Sequence, residues 1–518
     1  MSYDEIPYES SPFPETHPNF LATVARLFGV DAAPPDQCRV LELGCASGGN
    51  LIPMAFRLPD AHFVGIELSA TQVADGQRLI AQAELPNIEL HQGDILQFDT
   101  EGEGFDYIIC HGVYSWAPEA VRERILAICR GRLNENGVAY ISYNTLPGWH
   151  MRGMLREMLL HHTRELESPQ ERLAGAHELL GFLDGSLEGS DALHGRYLRM
   201  EIDRIRGNHP SYLYHEYLEE INQPFLFSRF VEDAARHDLR YLCDTELHSM
   251  FASPLGETAD QMLGSIEDPI QRWQYTDFLT NRNFRQSLLC RSESRVARDP
   301  DLERFNGYAF HSDLKPPKKL DLRRVKAAPF TSATGERVQV AHPLTKAALA
   351  HLDRVFPDSL SFEDLVSVAQ RQVTASGGGA AAAQLDHLTS ELFSLFAHQA
   401  IGAAPSPHTV FHQIEERPRA NRLARVQADA GIGHAAGFHH TTVGLDPFST
   451  VLLQQLDGTR DRTELVRELA RRFEEDSTLS ALAGNQTGEK LRQMISANTT
   501  RMLELFARQG LLEPGTAA

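Results

Sequence analysis

Lysine is almost missing from this chain. Six of its 49 Lys and Arg residues are lysine, and all six stand at or after Lys315. Arginine fills every Lys-or-Arg position among the first 150 residues, a bias that a GC-rich genome produces. Positive charge is in deficit overall, with a net charge of −21 at pH 7. Proteins that grip nucleic acid carry a basic face, because phosphate neutralisation supplies most of their affinity. No long basic run is present, so no nucleic-acid partner is expected. The sign suits a cationic partner such as a lysine-rich protein, or a plain acidic soluble chain. Long apolar runs are missing too. None approaches the ~18–20 residues that cross a bilayer, so no membrane span is expected. The start, Met1-Ser-Tyr-Asp-Glu5, is acidic and has no charged segment leading into an apolar one. No secretory signal is therefore expected, and a cytoplasmic place is. Cysteine is sparse and scattered: Cys38, Cys45, Cys110, Cys129, Cys243 and Cys290, with no C-x-x-C spacing. That excludes a disulfide framework and a cysteine zinc site, and leaves reduced thiols.

What is present is length and alternation. A chain of 518 residues is too long for one ordinary core and predicts roughly three or four domains of about 100–200 residues each. Strand and helix signals alternate through residues 1–150. Strands are expected at Arg39–Leu43, His62–Ile66, Ile88–His91, Phe105–Cys110 and Gly137–Tyr143. Helices are expected at Asn50–Arg57, Thr71–Ala83 (with Ser69 as cap) and Ala117–Leu133. Such alternation implies βαβ units and a parallel, doubly wound sheet. Residues 151–225 read as all helical, an insertion and a candidate dimerisation element. Residues 226–300 contain strand signals at Leu239–Cys243 and Arg285–Arg291, which are expected to complete the first sheet. Lys315-Pro-Pro-Lys-Lys319 reads as a linker within a middle domain, 301–405. A C-terminal domain, 406–518, reads as helical or winged-helix-like. His439-His440 lies in it without a metal-ligand spacing and is expected to be a surface turn.

The chemistry concentrates at the strand ends. The first turn is Glu42-Leu-Gly44-Cys45-Ala46-Ser-Gly48-Gly-Asn50. Its glycines permit a tight turn and a close ligand. It lacks the G-x-G-x-x-G of a dinucleotide cradle and the Gly-Lys-Ser/Thr of a phosphate loop. The second strand ends in Glu67-Leu68, and an acid there accepts both ribose hydroxyls of a nucleoside. After the third strand come Asp94, placed to receive an adenine amine, and Ile95, placed to face the ring. Ligands bind outside the carboxyl ends of such strands.

This ordered set resembles the class I S-adenosylmethionine (AdoMet) dependent methyltransferases, over about residues 39–145. The resemblance implies a Rossmann-like α/β sheet with AdoMet as cofactor. Glu42, Gly44, Cys45, Ala46, Gly48 and Asn50 would line its methionine end, Glu67 and Leu68 its ribose, and Asp94 and Ile95 its adenine. His111 would lie under the sulfonium. A closer likeness is carried by Tyr3-Asp-Glu-Ile-Pro-Tyr8 through His17-Pro18, by Cys110-His-Gly-Val-Tyr114-Ser-Trp116, and by Tyr143-Asn144-Thr-Leu-Pro-Gly-Trp149. These resemble the rickettsial outer-membrane-protein lysine methyltransferases and their bacterial relatives. The stretch from about Glu216 to Arg291 is similar to their methyltransferase regulatory domain, and the Leu456-Asp-Gly-Thr-Arg block to their C-terminal domain. The resemblance implies protein lysine N-methylation, a protein substrate such as an envelope protein, and either a monomer or a homodimer. A lysine-poor catalytic face would also spare such an enzyme from methylating itself.

Methyl transfer from a sulfonium is an in-line displacement that needs alignment and exclusion of water, not a metal. His111, Tyr114, Trp116, Tyr143 and Asn144 are the candidate catalytic residues, with Tyr8, His17 and Trp149 as substrate or lid residues. His111 reads equally as a proton relay or as a packed histidine. The loop after strand four lacks the Asp/Asn-Pro-Pro-aromatic motif of DNA amino-methylating enzymes. A small-molecule N- or O-methyltransferase and a non-catalytic AdoMet-binding regulator stand as alternatives.

Overall fold

The computed structural model describes residues 6, 10–251, 256–378, 385–484 and 486–515. Its centre is a seven-stranded sheet: β1 (Arg39–Leu43), β2 (His62–Glu67), β3 (Ile88–Gln92), β4 (Phe105–Cys110), β5 (Leu133–Asn144), β6 (Leu239–Asp244) and β7 (Phe284–Arg291). They lie in the order β3-β2-β1-β4-β5-β7-β6. The first five run parallel, and β7 is antiparallel to both β5 and β6. The inner strands read as continuous apolar runs because both faces of the sheet are covered. β5 starts at Leu133, four residues before the expected Gly137, since the preceding helix runs into the strand without a loop.

Helices flank this sheet: α1 (Pro18–Leu27), α2 (Leu51–Arg57), α3 (Ala70–Ala83) and α4 (Glu119–Arg132). α1 begins at a proline whose missing N–H is no loss in a first turn, and His17 Nδ1 accepts from the Asn19 amide. Ser69 caps α3 by accepting from the Gln72 amide, as its position suggested. One face of the sheet packs with α1, α2 and a middle helical unit reaching past residue 390; the other packs on α4 and the aromatic side chains Phe227 and Phe230. The insertion comprises α5 (Trp149–Thr163), α6 (Pro169–Ser186), α7 (Leu193–Arg206) and α8 (Pro210–Tyr217) around its own apolar core. A C-terminal unit has a separate core. The segment Lys315–Lys319 is not a free linker. Lys315 and Thr331 exchange backbone hydrogen bonds, which binds the segment into the middle unit.

All six cysteines are free and buried, and no helix among the described residues is long and apolar enough to cross a membrane.

Candidate active site

A cavity of about 380 Å³ opens at the carboxyl ends of the parallel strands, within the size range of ligand sites. The first turn forms its floor. Gly44 and Ala46 have φ of +76° and +49°, so both occupy the left-handed region. A Cβ on Gly44 would meet Val113 Cγ2 at 2.5 Å, so only glycine fits beneath the loop after β4. Ala46 carries the strain of a side chain there. Its amide donates to Glu67 Oε2 at 3.0 Å, which holds the turn. Glu67 Oε1 accepts from the Ser69 amide at 2.9 Å. Asp94 accepts from the Leu96 amide and starts a short turn that presents Ile95 to the cavity.

Glu42 is buried at the end of β1. Its Oε1 accepts from Asn50 Nδ2 at 2.9 Å, while Oε2 has no partner. Burial pushes its carboxyl up to about 7, against the pull of the Asn50 hydrogen bond. Asn50 is a saturated hub. Its Nδ2 also donates to Thr16 Oγ1 at 3.0 Å, and its Oδ1 accepts from the Phe13 amide at 3.1 Å and from His440 Nε2 at 2.8 Å. Because Oδ1 can only accept, His440 carries its proton on Nε2. His440 is therefore no surface turn. It is buried, and the contact spans 390 residues of sequence. His439 is bound too, through Nε2 and the Pro357 carbonyl. Among the described residues no group of side chains could hold a metal ion.

Glu42, Gly44, Cys45, Ala46, Asn50, Glu67, Leu68, Asp94, Ile95, His111 and Trp116 all line this cavity. Gly48 does not; it packs under Ile52 and Leu90. His111 packs against Phe13 with centroids 4.0 Å apart and the rings tilted by 36°, and its Nδ1 pairs with the Tyr140 hydroxyl at 2.8 Å. Burial depresses its pKa to about 4, so it is neutral at pH 7. Tyr114 and Tyr143 turn away from the cavity into the core with Phe225 and Phe230. Asn144 is buried beside Ser115 and Asn222. Trp149 reaches the site only by packing edge-on against Trp116. His17 lines a second cavity of about 650 Å³, formed where α1 meets the middle and C-terminal units. Tyr8 lies outside the described residues. Among the lining residues that sequence reasoning did not single out as site residues are Ser10, Phe13, Phe284 and Glu216. Phe284 arrives through the antiparallel pairing of β7, and Glu216 through the fold of the insertion.

Family comparisons agree with this geometry. Residues 40–137 match a methyltransferase domain, 209–291 the predicted methyltransferase regulatory domain, and 416–511 the PKMT C-terminal winged helix domain. An uncharacterised protein of Rickettsia prowazekii is 32% identical over 522 residues, 98% of this chain and 93% of that protein. The structure of PKMT2 from Rickettsia typhi in complex with AdoHcy superposes with a TM-score of 0.85 at 28% identity, covering 98% of this chain and all of that one. The chain belongs to the class I AdoMet-dependent methyltransferases of this rickettsial type. A second Rickettsia prowazekii relative, 39% identical, matches 242 residues, which is 47% of this chain and 97% of that protein.

The methyltransferase's cavity fits AdoMet on its own chemistry. The orphaned Glu42 Oε2 offers an acceptor for a buried ammonium, Glu67 retains free lone pairs, and Asp94 with Ile95 supplies an acid beside an apolar wall. Bound there, AdoMet supplies an electrophilic methyl group on a sulfonium.

Proposed function

We propose that this methyltransferase methylates a lysine amine of a protein acceptor. The observation that carries the reading is the aromatic wall at the cavity's reacting side: Phe13, His111, Trp116 and Phe284. Such a wall strips water from an entering amine, which lowers its pKa, and its faces attract a methylated ammonium. The full-length likeness to PKMT2 and the net charge of −21, which suits a cationic acceptor, support the same reading.

The chain's own residues then divide the work. Glu42, positioned by Asn50, holds the methionine end; Glu67 holds the ribose; Asp94 and Ile95 frame the adenine. His111, neutral and tied to Tyr140, orients the wall rather than taking protons. Trp116, braced by Trp149, excludes water from the line of displacement. Tyr114, Tyr143 and Asn144 act as core supports, and His17 belongs to the interface with the C-terminal unit.

Tritiated AdoMet with native extracts and envelope fractions tests this. Label in protein bands, mapped to lysine by mass spectrometry, is the expected result. Label confined to small molecules would replace the reading with a metabolite methyltransferase. Tight AdoMet binding with no transfer to any fraction would replace it with a regulator.

A further inference from the structure

The lysine reading leaves one demand unmet. An ammonium with a pKa of about 10.4 in water has no lone pair to attack with. His111, depressed to about 4, is a poor proton acceptor. Four acids line the cavity. Glu42, Glu67 and Asp94 stand on the sheet's turns and are each bound by donors there. Glu216 comes instead from α8 of the insertion and lines the cavity together with His215, Trp116 and Phe284. Its carboxylate makes no hydrogen bond or salt bridge with a described residue. The two arginines that act on it, Arg152 and Arg204, are paired with Glu201 at 3.5 and 3.7 Å.

We propose that Glu216 is the general base of the transfer and the group that recognises a cationic amine acceptor. This rests on the lysine reading. One N–H bond of the entering ammonium breaks, and its electron pair stays on nitrogen. That lone pair would form the N–C bond to the methyl group of AdoMet as the C–S bond breaks, and the bonding pair would stay on sulfur, leaving neutral AdoHcy. The proton moves to a carboxylate oxygen of Glu216, which returns it to solvent once the methylated product leaves. Burial pushes the Glu216 carboxyl up to about 7, opposed by Arg152, Arg204 and His215 and reinforced by Glu201. Tyr212 and Arg156 lie close enough to feel its charge, and His111, Glu42, Glu67 and Asp94 face it around the cavity. A base poised near neutral pH is matched to a desolvated amine. The role also gives the insertion a catalytic purpose, since the sheet alone brings no base to this wall.

The test uses the full chain, tritiated AdoMet, and a pool of random heptapeptides with one central lysine, with norleucine-centred peptides as control. Glu216→Gln is expected to lower kcat/KM about 100-fold or more, while AdoMet affinity by calorimetry stays within about twofold. With AdoMet saturating, so that Glu42's effect on cofactor affinity does not enter, the wild-type rise in rate near pH 7 should vanish, leaving a residual rate that climbs toward the amine's own pKa. Glu216→Asp should recover part of the activity. A Glu216→Gln enzyme with the wild-type rate and pH profile overturns the proposal, as does a loss of AdoMet affinity parallel to the loss of rate. A wild-type enzyme that labels no lysine, in the peptides or in extract proteins, removes the lysine reading and this base with it. That outcome is told from the others by the wild type alone.

Discussion

Glu67 and Glu42 carry the most informative residue-scale tests. Glu67 accepts from two backbone amides of the turns that shape the cavity, so it serves structure and ligand together. Glu67→Ala is expected to weaken AdoMet binding about 10- to 100-fold by calorimetry, the scale of a lost hydrogen-bonded charge, with the far-ultraviolet spectrum unchanged. Glu42 answers to pH. Burial raises its pKa to about 7, so the free protein holds a proton there that an unfolded chain would release near its ordinary value. The stability drawn from that proton falls as pH rises from about 4.5 through 7. Cofactor binding has the opposite slope, because a ligand ammonium favours the ionised carboxylate. AdoMet affinity should rise with pH through about 7 and level off above it; Glu42→Gln should flatten the curve. The first turn was legible because positive-φ glycines and a strand-end acid are local features. Tyr143 points away from the cavity because side chains alternate between the two sides of a strand, and Tyr114 does so because the short helix Tyr114–Trp116 after β4 packs its ring on Phe225 and Phe230. Tyr140, three residues before Tyr143 on β5, meets His111, while Tyr143 stacks on Phe230.

At the scale of elements, β7 matters most, since it brings Phe284 to the cavity. Its anchor is Arg285, buried between two acids. The guanidinium donates to both oxygens of Asp277 at 2.8 Å and to Asp244, and stacks over Phe227 at 3.9 Å. Ser287 donates to the other Asp244 oxygen at 2.7 Å. Arg285→Ala leaves Asp277 buried without its bidentate partner and Asp244 with only the longer Arg282 pair at 3.5 Å, and should destabilise the fold by about 3–5 kcal/mol, read from the denaturant midpoint. The strands themselves were visible in the sequence as apolar runs, including the two late ones. Their order was not. An antiparallel β7 between β5 and β6 depends on how the insertion and residues 245–283 return the chain, and no local pattern encodes that path. Glu216 was hidden for the same reason. It sits in an acidic and aromatic helix, and only the fold turns it toward the cavity.

The whole molecule is joined through neutral histidines. His17, His311, His408, His439 and His440 meet where α1, the middle unit and the C-terminal unit converge, and the rings of His311 and His439 stack at 3.5 Å. Burial lowers all five pKa values, those of His17 and His408 to about 4. The unfolded chain therefore takes up more protons than the folded one below pH 6.5. The histidines' contribution to stability should be full above about 6.5 and be lost as pH falls toward 4, seen as a falling melting temperature. His440→Ala should also weaken AdoMet binding about 2- to 10-fold by calorimetry, because it removes one of the donors to Asn50 Oδ1, beside the Phe13 amide and the Thr16 hydroxyl, whereas His439→Ala should not. No sequence spacing announces a bond between residues 50 and 440. That bond has a bearing on synthesis. A ribosome releases the cofactor turn early, but His440, which braces Asn50 behind Glu42, follows almost four hundred residues later. A nascent chain that has folded its sheet is therefore expected to gain the last 2- to 10-fold of its AdoMet affinity only when the C-terminal unit docks.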